Sequence, residues 1–92
     1  MTRSYNVCVV GAGRWGKNHI RTLSELRALG GVVESDTEVL NSLKLTYPEI
    51  QYFSDLESAI THGFDGFTVA TPAETHFEIA KQILESETHV LV

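Results

Sequence analysis

The sequence predicts an α/β fold, a doubly wound parallel sheet of about five strands in the order 3-2-1-4-5, with residues 1–92 forming a single domain. Three observations carry this expectation. Short apolar runs alternate along the chain with segments whose apolar residues recur at helical spacing. The first run, Val7-Cys8-Val9-Val10, leads directly into Gly11-Ala12-Gly13-Arg14-Trp15-Gly16, a Gly-x-Gly-x-x-Gly turn at a strand-to-helix junction. The second strand closes on an acid, Glu34, which lies 18 residues past Gly16.

Each element has its own local reason. Tyr5 to Val10 is rich in β-branched residues and nearly all apolar, as a strand buried on both faces requires. From Arg14 to about Leu29, the residues Trp15, Ile20, Leu23, Leu26 and Leu29 form a helical stripe, which Gly30-Gly31 is expected to stop. Val32 to Glu34 is strand two. Asp36 or Thr37 caps a second helix carrying Val39, Leu40, Leu43 and Tyr47 on one side, and Pro48 ends it. Ile50 to Phe53 is a short third strand at the sheet edge. Ser54-Asp55 opens a short helix with Leu56, Ala59 and Ile60 inward. Gly66 to Ala70 is strand four, and Pro72 breaks the chain after it. Glu74 to Glu85 is a helix with Phe77, Ala80, Ile83 and Leu84 expected inward, and His89 to Val92 is strand five. Parallel strands joined this way need right-handed crossovers, and the direction of winding reverses between strands one and four.

Composition narrows the function. An apolar fraction of 42% and a charged fraction of 21% are ordinary for a globular domain. The net charge of −5, with no basic cluster, argues against nucleic acid, since no run of Lys or Arg is present to neutralise phosphates. An anionic ligand must therefore be held by local dipoles and backbone. No apolar stretch approaches the roughly 20 residues of a membrane span, so no membrane association is expected. The first residues show no secretory leader, and a cytoplasmic setting is expected. The single cysteine, Cys8, suits a small buried position in the first strand. His19, His62 and His89 have no metal-like spacing with Cys or carboxylates, so no metal site is expected. No nucleophilic triad is present either.

The glycine turn carries the chemistry. Gly11 permits a tight turn, Gly13 allows close approach of a pyrophosphate, and Gly16 lets the helix pack against the strand. The helix start, at Arg14 and Trp15, offers backbone N–H groups and a positive dipole end to phosphate. The Arg14 side chain can reach either the cofactor or the acids Glu34 and Asp36. Trp15 can stand beside the nicotinamide end or pack against a neighbouring domain. Glu34 is placed to accept hydrogen bonds from both hydroxyls of an adenosine ribose and to repel a 2′-phosphate, and Asp36 adds negative charge nearby. NAD is therefore favoured over NADP. Three features converge at the carboxyl ends of the strands: this turn, Glu34, and Ala70-Thr71-Pro72 after strand four.

Over essentially all its length the chain resembles the N-terminal domain of the Gfo/Idh/MocA oxidoreductase family. The resemblance rests on Val9-Val10-Gly11-Ala12-Gly13-Arg14-Trp15-Gly16, Val32-Val33-Glu34-Ser35-Asp36 and Asp55-Leu56-Glu57. Its most selective part is Val69-Ala70-Thr71-Pro72-Ala73-Glu74-Thr75-His76, followed by Ala80 and His89-Val90-Leu91-Val92. It implies a Rossmann-type NAD-binding domain of an enzyme that moves a hydride between nicotinamide and a sugar, polyol or nucleotide-sugar carbon. It further implies that Thr71 contacts the nicotinamide ribose, that Pro72 fixes that loop, and that His76 lies near the nicotinamide end. The family's catalytic Lys, in Glu-Lys-Pro, would follow Val92. No catalytic residue is thus expected in this chain, which should bind cofactor without turnover, its small-molecule substrate being met by a separate domain. Trp15-Gly16-Lys17-Asn18 is similar to a branch acting on nucleotide sugars, such as 3-dehydrogenases of UDP-N-acetylglucosaminuronic acid. Apolar surface at the open carboxyl edge also admits a homo-oligomer.

Two other classes share parts of this pattern. A non-catalytic nucleotide- or CoA-sensing module has the same turn, but Ala70-Thr71-Pro72 with His76 suits a nicotinamide site better. A domain binding S-adenosylmethionine also uses an acid after strand two, yet its turn usually reads Gly-x-Gly-x-Gly, whereas Trp stands at position 15 here.

Overall fold

A computed structural model of the chain describes residues 6–71, 73–86 and 89–91, with backbone alone at 14–15, 73–76 and 89–91. The elements run β1 (Val7–Val10), α1 (Arg14–Glu25), β2 (Leu29–Val33), α2 (Thr37–Thr46), β3 (Gln51–Phe53), α3 (Leu56–His62), β4 (Gly66–Val69), α4 (Ala73–Glu85) and β5 (His89–Leu91). The described strands form one sheet in the order β3-β2-β1-β4-β5, every neighbouring pair parallel. The expected topology is therefore observed, with the reversal between β1 and β4.

Alternation along the strands divides the core into two layers. Cys8, Val10, Val33, Phe67 and Val69 face one side, where Ala59 of α3 and Ile83 of α4 cover them. Val9 and Val32 face the other, under Ile20 of α1 and Leu40 and Leu43 of α2. Cys8 is fully buried. Burial pushes its thiol up to about 12, so it is neutral and inert at ordinary pH.

Helix ends follow from capping chemistry. Asp36 caps α2, its Oδ1 accepting from the Glu38 and Val39 N–H groups at 2.9 and 3.4 Å. Asp55 caps α3 through the Ser58 N–H at 2.8 Å. At the far end of α2 the Tyr52 hydroxyl lies 2.6 Å from the Tyr47 carbonyl and 2.9 Å from that of Leu43, which also accepts the Tyr47 N–H at 2.7 Å, so its one proton serves either carbonyl at the end of the helix.

Two expectations need correction. The first helix stops at Glu25, not near Leu29, and Gly30-Gly31 lies inside β2 rather than ending a helix. The stop is a left-handed cap at Arg27, with φ 59°. The Arg27 N–H donates to the Ser24 carbonyl at 3.0 Å and the Ala28 N–H to the Leu23 carbonyl at 2.8 Å, closing the last turn as a Schellman motif. Leu26, assigned to the stripe by its spacing, is 70% exposed. The two glycines serve close approach. A Cβ on Gly31 would stand 2.5 Å from Cζ of Phe64, and one on Gly30 would run into the Asn6 side chain.

The second correction concerns α4. Phe77 and Leu84 point outward, 71% and 58% exposed, while Ile83 is fully buried and Ile79 packs beside it. Apolar residues at 77, 79, 80, 83 and 84 make two overlapping stripes, and the sheet takes the one through Ile79 and Ile83. Ile83→Ala should therefore cost about 2–5 kcal/mol of stability, whereas Phe77→Ser should stay within about 0.5 kcal/mol of the parent. Urea unfolding midpoints decide this; equal losses in the two variants would contradict the observed helix phase.

Candidate functional site: a glycine turn at the carboxyl edge

Three strand ends bring the site together. The sheet ladder extends one residue past each strand: the Gly11 N–H donates to Val33 O at 2.8 Å, the Ala70 N–H to Val10 O at 2.8 Å, and the Glu34 N–H to Phe53 O at 3.0 Å. The residue after each strand is thus held to a neighbour before the chain turns away. Between them opens a cleft of about 710 Å3, bordered by Gly11, Ala12, Gly13, Glu34, Ser35, Ala70 and Thr71, and also by Ser54, Asp55, Leu56 and Ile79.

The three glycines are not equivalent. Gly11 has φ +95°, in the left-handed region, so the turn requires a residue without a Cβ. A Cβ on Gly16 would collide with the Gly11 carbonyl oxygen, so α1 sits against its own entry turn only because position 16 is bare. Gly13 differs from both. It is the N-cap of α1, and a Cβ there would meet nothing within 4 Å. The space beside it is open to a ligand.

The start of α1 is also chemically distinct. No side chain caps it and its first turn carries no acid, whereas α2 has Asp36 and Glu38, and α3 has Asp55 and Glu57. The bond from the Lys17 N–H to Gly13 O at 2.8 Å opens the helix ladder, and the N–H groups at the start of α1 before it have no carbonyl four residues back within the helix. A helix start of this kind favours an anion.

Glu34 is half-buried and already engaged at both oxygens. Its Oε1 accepts from the Ala12 N–H at 2.8 Å and its Oε2 from the Asp36 N–H at 3.0 Å. The carboxylate therefore ties the β1–α1 turn to the β2–α2 turn. Each oxygen keeps a further lone pair for a hydroxyl donor. Thr71 also borders the cleft, and its Oγ1 is buried with no hydrogen-bond partner among the described residues. An open space at Gly13, helix-start donors without intrahelical partners and an acceptor at Glu34 fit a dinucleotide.

The oxidoreductase family model described as an NAD-binding Rossmann fold matches residues 5–92. The chain belongs to the Gfo/Idh/MocA family. As a Gfo/Idh/MocA domain it is similar to GenD2 from gentamicin A biosynthesis, solved in complex with NAD, with 30% identity and a TM-score of 0.89 over 100% of this chain and 27% of that one. The WlbA dehydrogenase from Bordetella pertussis, solved with NADH and UDP-GlcNAcA, shows 27% identity and a TM-score of 0.86, covering 96% of this chain and 28% of that one. The scyllo-inositol dehydrogenase from Lactobacillus casei, solved with NAD(H) and scyllo-inositol, shares the fold at 22% identity and a TM-score of 0.87, over 96% of this chain and 27% of the other. The Gfo/Idh/MocA domain thus spans little more than a quarter of these relatives. A comparison with curated proteins finds no match.

Of the residues singled out in the sequence, Gly11, Gly13, Glu34 and Thr71 border the one cleft, and Gly16 stands behind the turn. Arg14 and Trp15 open α1, and their side chains lie outside the described residues, as does that of His76 in the first turn of α4. Pro72 lies outside them altogether. Sequence reasoning missed Ala12, whose N–H anchors Glu34, and the cleft residues Ser54, Asp55, Leu56 and Ile79. The available signal was topological: the loop after β3 leaves the same sheet edge as the glycine turn. Among the described residues no group of His, Cys, Asp or Glu is arranged to hold a metal ion, and no helix is long and apolar enough to cross a membrane.

Proposed function

We propose that this chain is the cofactor-binding part of a dehydrogenase, with NAD laid across the β1–α1 turn. The pyrophosphate rests over Gly13 and the start of α1, where backbone N–H groups at Arg14 and Trp15 face it. Glu34 accepts from the adenosine ribose hydroxyls, and Thr71 reaches toward the nicotinamide ribose, with Pro72 and His76 following at that end. The observation that carries this reading is the open space at Gly13, beside an uncapped helix start, in a chain matched by an NAD-binding family model. Bound NAD supplies hydride transfer at its nicotinamide ring; the chain's own residues bind and orient. The substrate is a sugar, polyol or nucleotide sugar, presented by polypeptide corresponding to the greater part of the longer relatives. WlbA, solved with a nucleotide sugar, supports that class, as does the Trp15-Gly16-Lys17-Asn18 run. On this reading residues 1–92 bind cofactor and do not turn over substrate.

Comparative titration tests the assignment. NADH should bind more tightly than NADPH, because Glu34 and Asp36 place negative charge where a 2′-phosphate would sit. Glu34→Ala should weaken NADH by about 1–2 kcal/mol, the lower part of the range for charged hydrogen bonds because the residue is half-exposed, and should narrow the gap between the cofactors. Equal affinities in the parent protein would contradict the reading.

A further inference from the structure

Two unpartnered features stand side by side at one end of the sheet. β5 is an edge strand: β4 pairs with it on one side, from Gly66↔His89 to Thr68↔Leu91, and no described strand lies on the other. α4 packs on β4 and β5, yet Phe77 and Leu84 stay exposed. With half-buried Ala80 between them, they line an open groove of about 510 Å3, rimmed by Lys81 and Glu85. The groove faces past β5. Successive residues turn by about 100° around a helix, so the order around α4 is Ile79, Ile83, Ala80, Leu84, Phe77. Ile79 shares the cofactor cleft with Leu56 of α3 and marks the α3 side, and Ile83 is fully buried against the sheet. The remaining three residues therefore leave the sheet on the opposite flank, beyond β5.

We propose that this end of the domain is a two-fold interface between two copies of this chain, with the β5 strands paired antiparallel and the two α4 helices packed along Phe77, Ala80 and Leu84. One axis satisfies both pairings. Strands in a sheet lie about 4.8 Å apart. α4 lies over β4 and β5, so an axis through the open edge of β5 stands about one strand spacing from the helix and sets its copy about 10 Å away. Packed helices stand about 8–10 Å apart. Strand pairing thus delivers the helices at contact distance with no change of fold. Ala80 is small enough to admit the partner helix, and Phe77 and Leu84 of each copy cover the stripe of the other. A three-residue strand or this stripe alone falls short of the roughly 1,200 Å2 that a stable interface buries; together they support a weak, reversible dimer. Each copy carries a net charge of −5, so salt that screens the repulsion strengthens it. The interface lies away from the β1–α1 turn and does not depend on the NAD reading.

Sedimentation over about 1 μM to about 1 mM protein tests the interface. The parent should pass from the 10.2 kDa of one chain to twice that mass and stop there, since a two-fold contact closes on itself. Leu84→Lys should keep the parent's circular dichroism, because Leu84 is exposed, and should stay monomeric throughout. Lysine lowers the net negative charge, so this loss cannot come from greater repulsion between copies. Amide hydrogen exchange at residues 89–91 should slow as the parent associates, and should not depend on concentration in the variant. A parent that remains monomeric at about 1 mM leaves this face to some other polypeptide and overturns the proposal. A dimer that survives Leu84→Lys, exchange at 89–91 that ignores association, or growth beyond two copies overturns it as well.

Discussion

Gly13→Val is expected to abolish measurable NADH binding while the domain stays folded. Position 13 is extended, with φ −75° and ψ −160°, a conformation that any L residue adopts. An added Cβ meets no protein atom within 4 Å, so the fold has no steric objection. Valine is a poorer N-cap than glycine, which costs on the order of 1 kcal/mol or less. The isopropyl group instead fills the space over the helix start, where the pyrophosphate must come close enough to meet backbone N–H groups. Phosphate oxygens kept away from those donors lose both the hydrogen bonds and the dipole. Circular dichroism and urea unfolding should show a native domain, and NADH fluorescence titration should show no saturation up to millimolar protein. A folded variant with unchanged NADH affinity would mean that this turn is not the phosphate site.

Gly16→Ala is expected to do the opposite first: it should damage the fold, and binding only as a consequence. The new methyl group runs into the Gly11 carbonyl oxygen, which is backbone and cannot rotate aside. Gly11 is itself pinned by its N–H bond to Val33 and by its left-handed φ. Relief requires α1 to move off β1, loosening Ile20 from Val9 and Val32. Overpacking in a core costs about 1–3 kcal/mol, and a rigid backbone obstacle puts this variant at or above the top of that range. In a small domain, 3 kcal/mol is a large share of the total stability, about 5–15 kcal/mol for globular proteins. The urea midpoint should fall sharply, while Gly13→Val moves it little. If Gly16→Ala unfolds at the parent's denaturant concentration, the close approach of α1 to its turn is not what holds this corner together.

The pair of variants also marks how far the sequence could be read. A glycine motif after an apolar strand specifies a turn, but it does not say which glycine serves the ligand and which serves packing. That distinction comes from what stands beside each missing Cβ: open space at Gly13, a carbonyl at Gly16. Gly30-Gly31 makes the same point in error. A glycine pair after a helical stripe reads as a stop, yet it lies within β2 because Phe64, far along the chain, occupies the space a side chain would need. The real stop is Arg27, whose left-handed φ a sequence motif based on glycine does not signal.

By itself, the sequence determined the alternation of strands and helices, the winding order, the position of the glycine turn and the acid at the end of β2. Those features depend on local quantities: side-chain period, capping, and the bare backbone of glycine. Tertiary structure alone decided the rest. It chose Ile79 and Ile83 over Phe77 and Leu84 as the buried face of α4, because two stripes were equally written and only one meets β4. It joined Glu34 to the Ala12 and Asp36 N–H groups, making one carboxylate both a brace between turns and an acceptor in the cleft. It also brought Ser54 and Asp55, from the loop after β3, to the same cleft as Glu34 and Thr71, since parallel strands end on a common edge and collect loops that are distant in the chain. Such proximity is a property of the assembled sheet, and no local pattern encodes it.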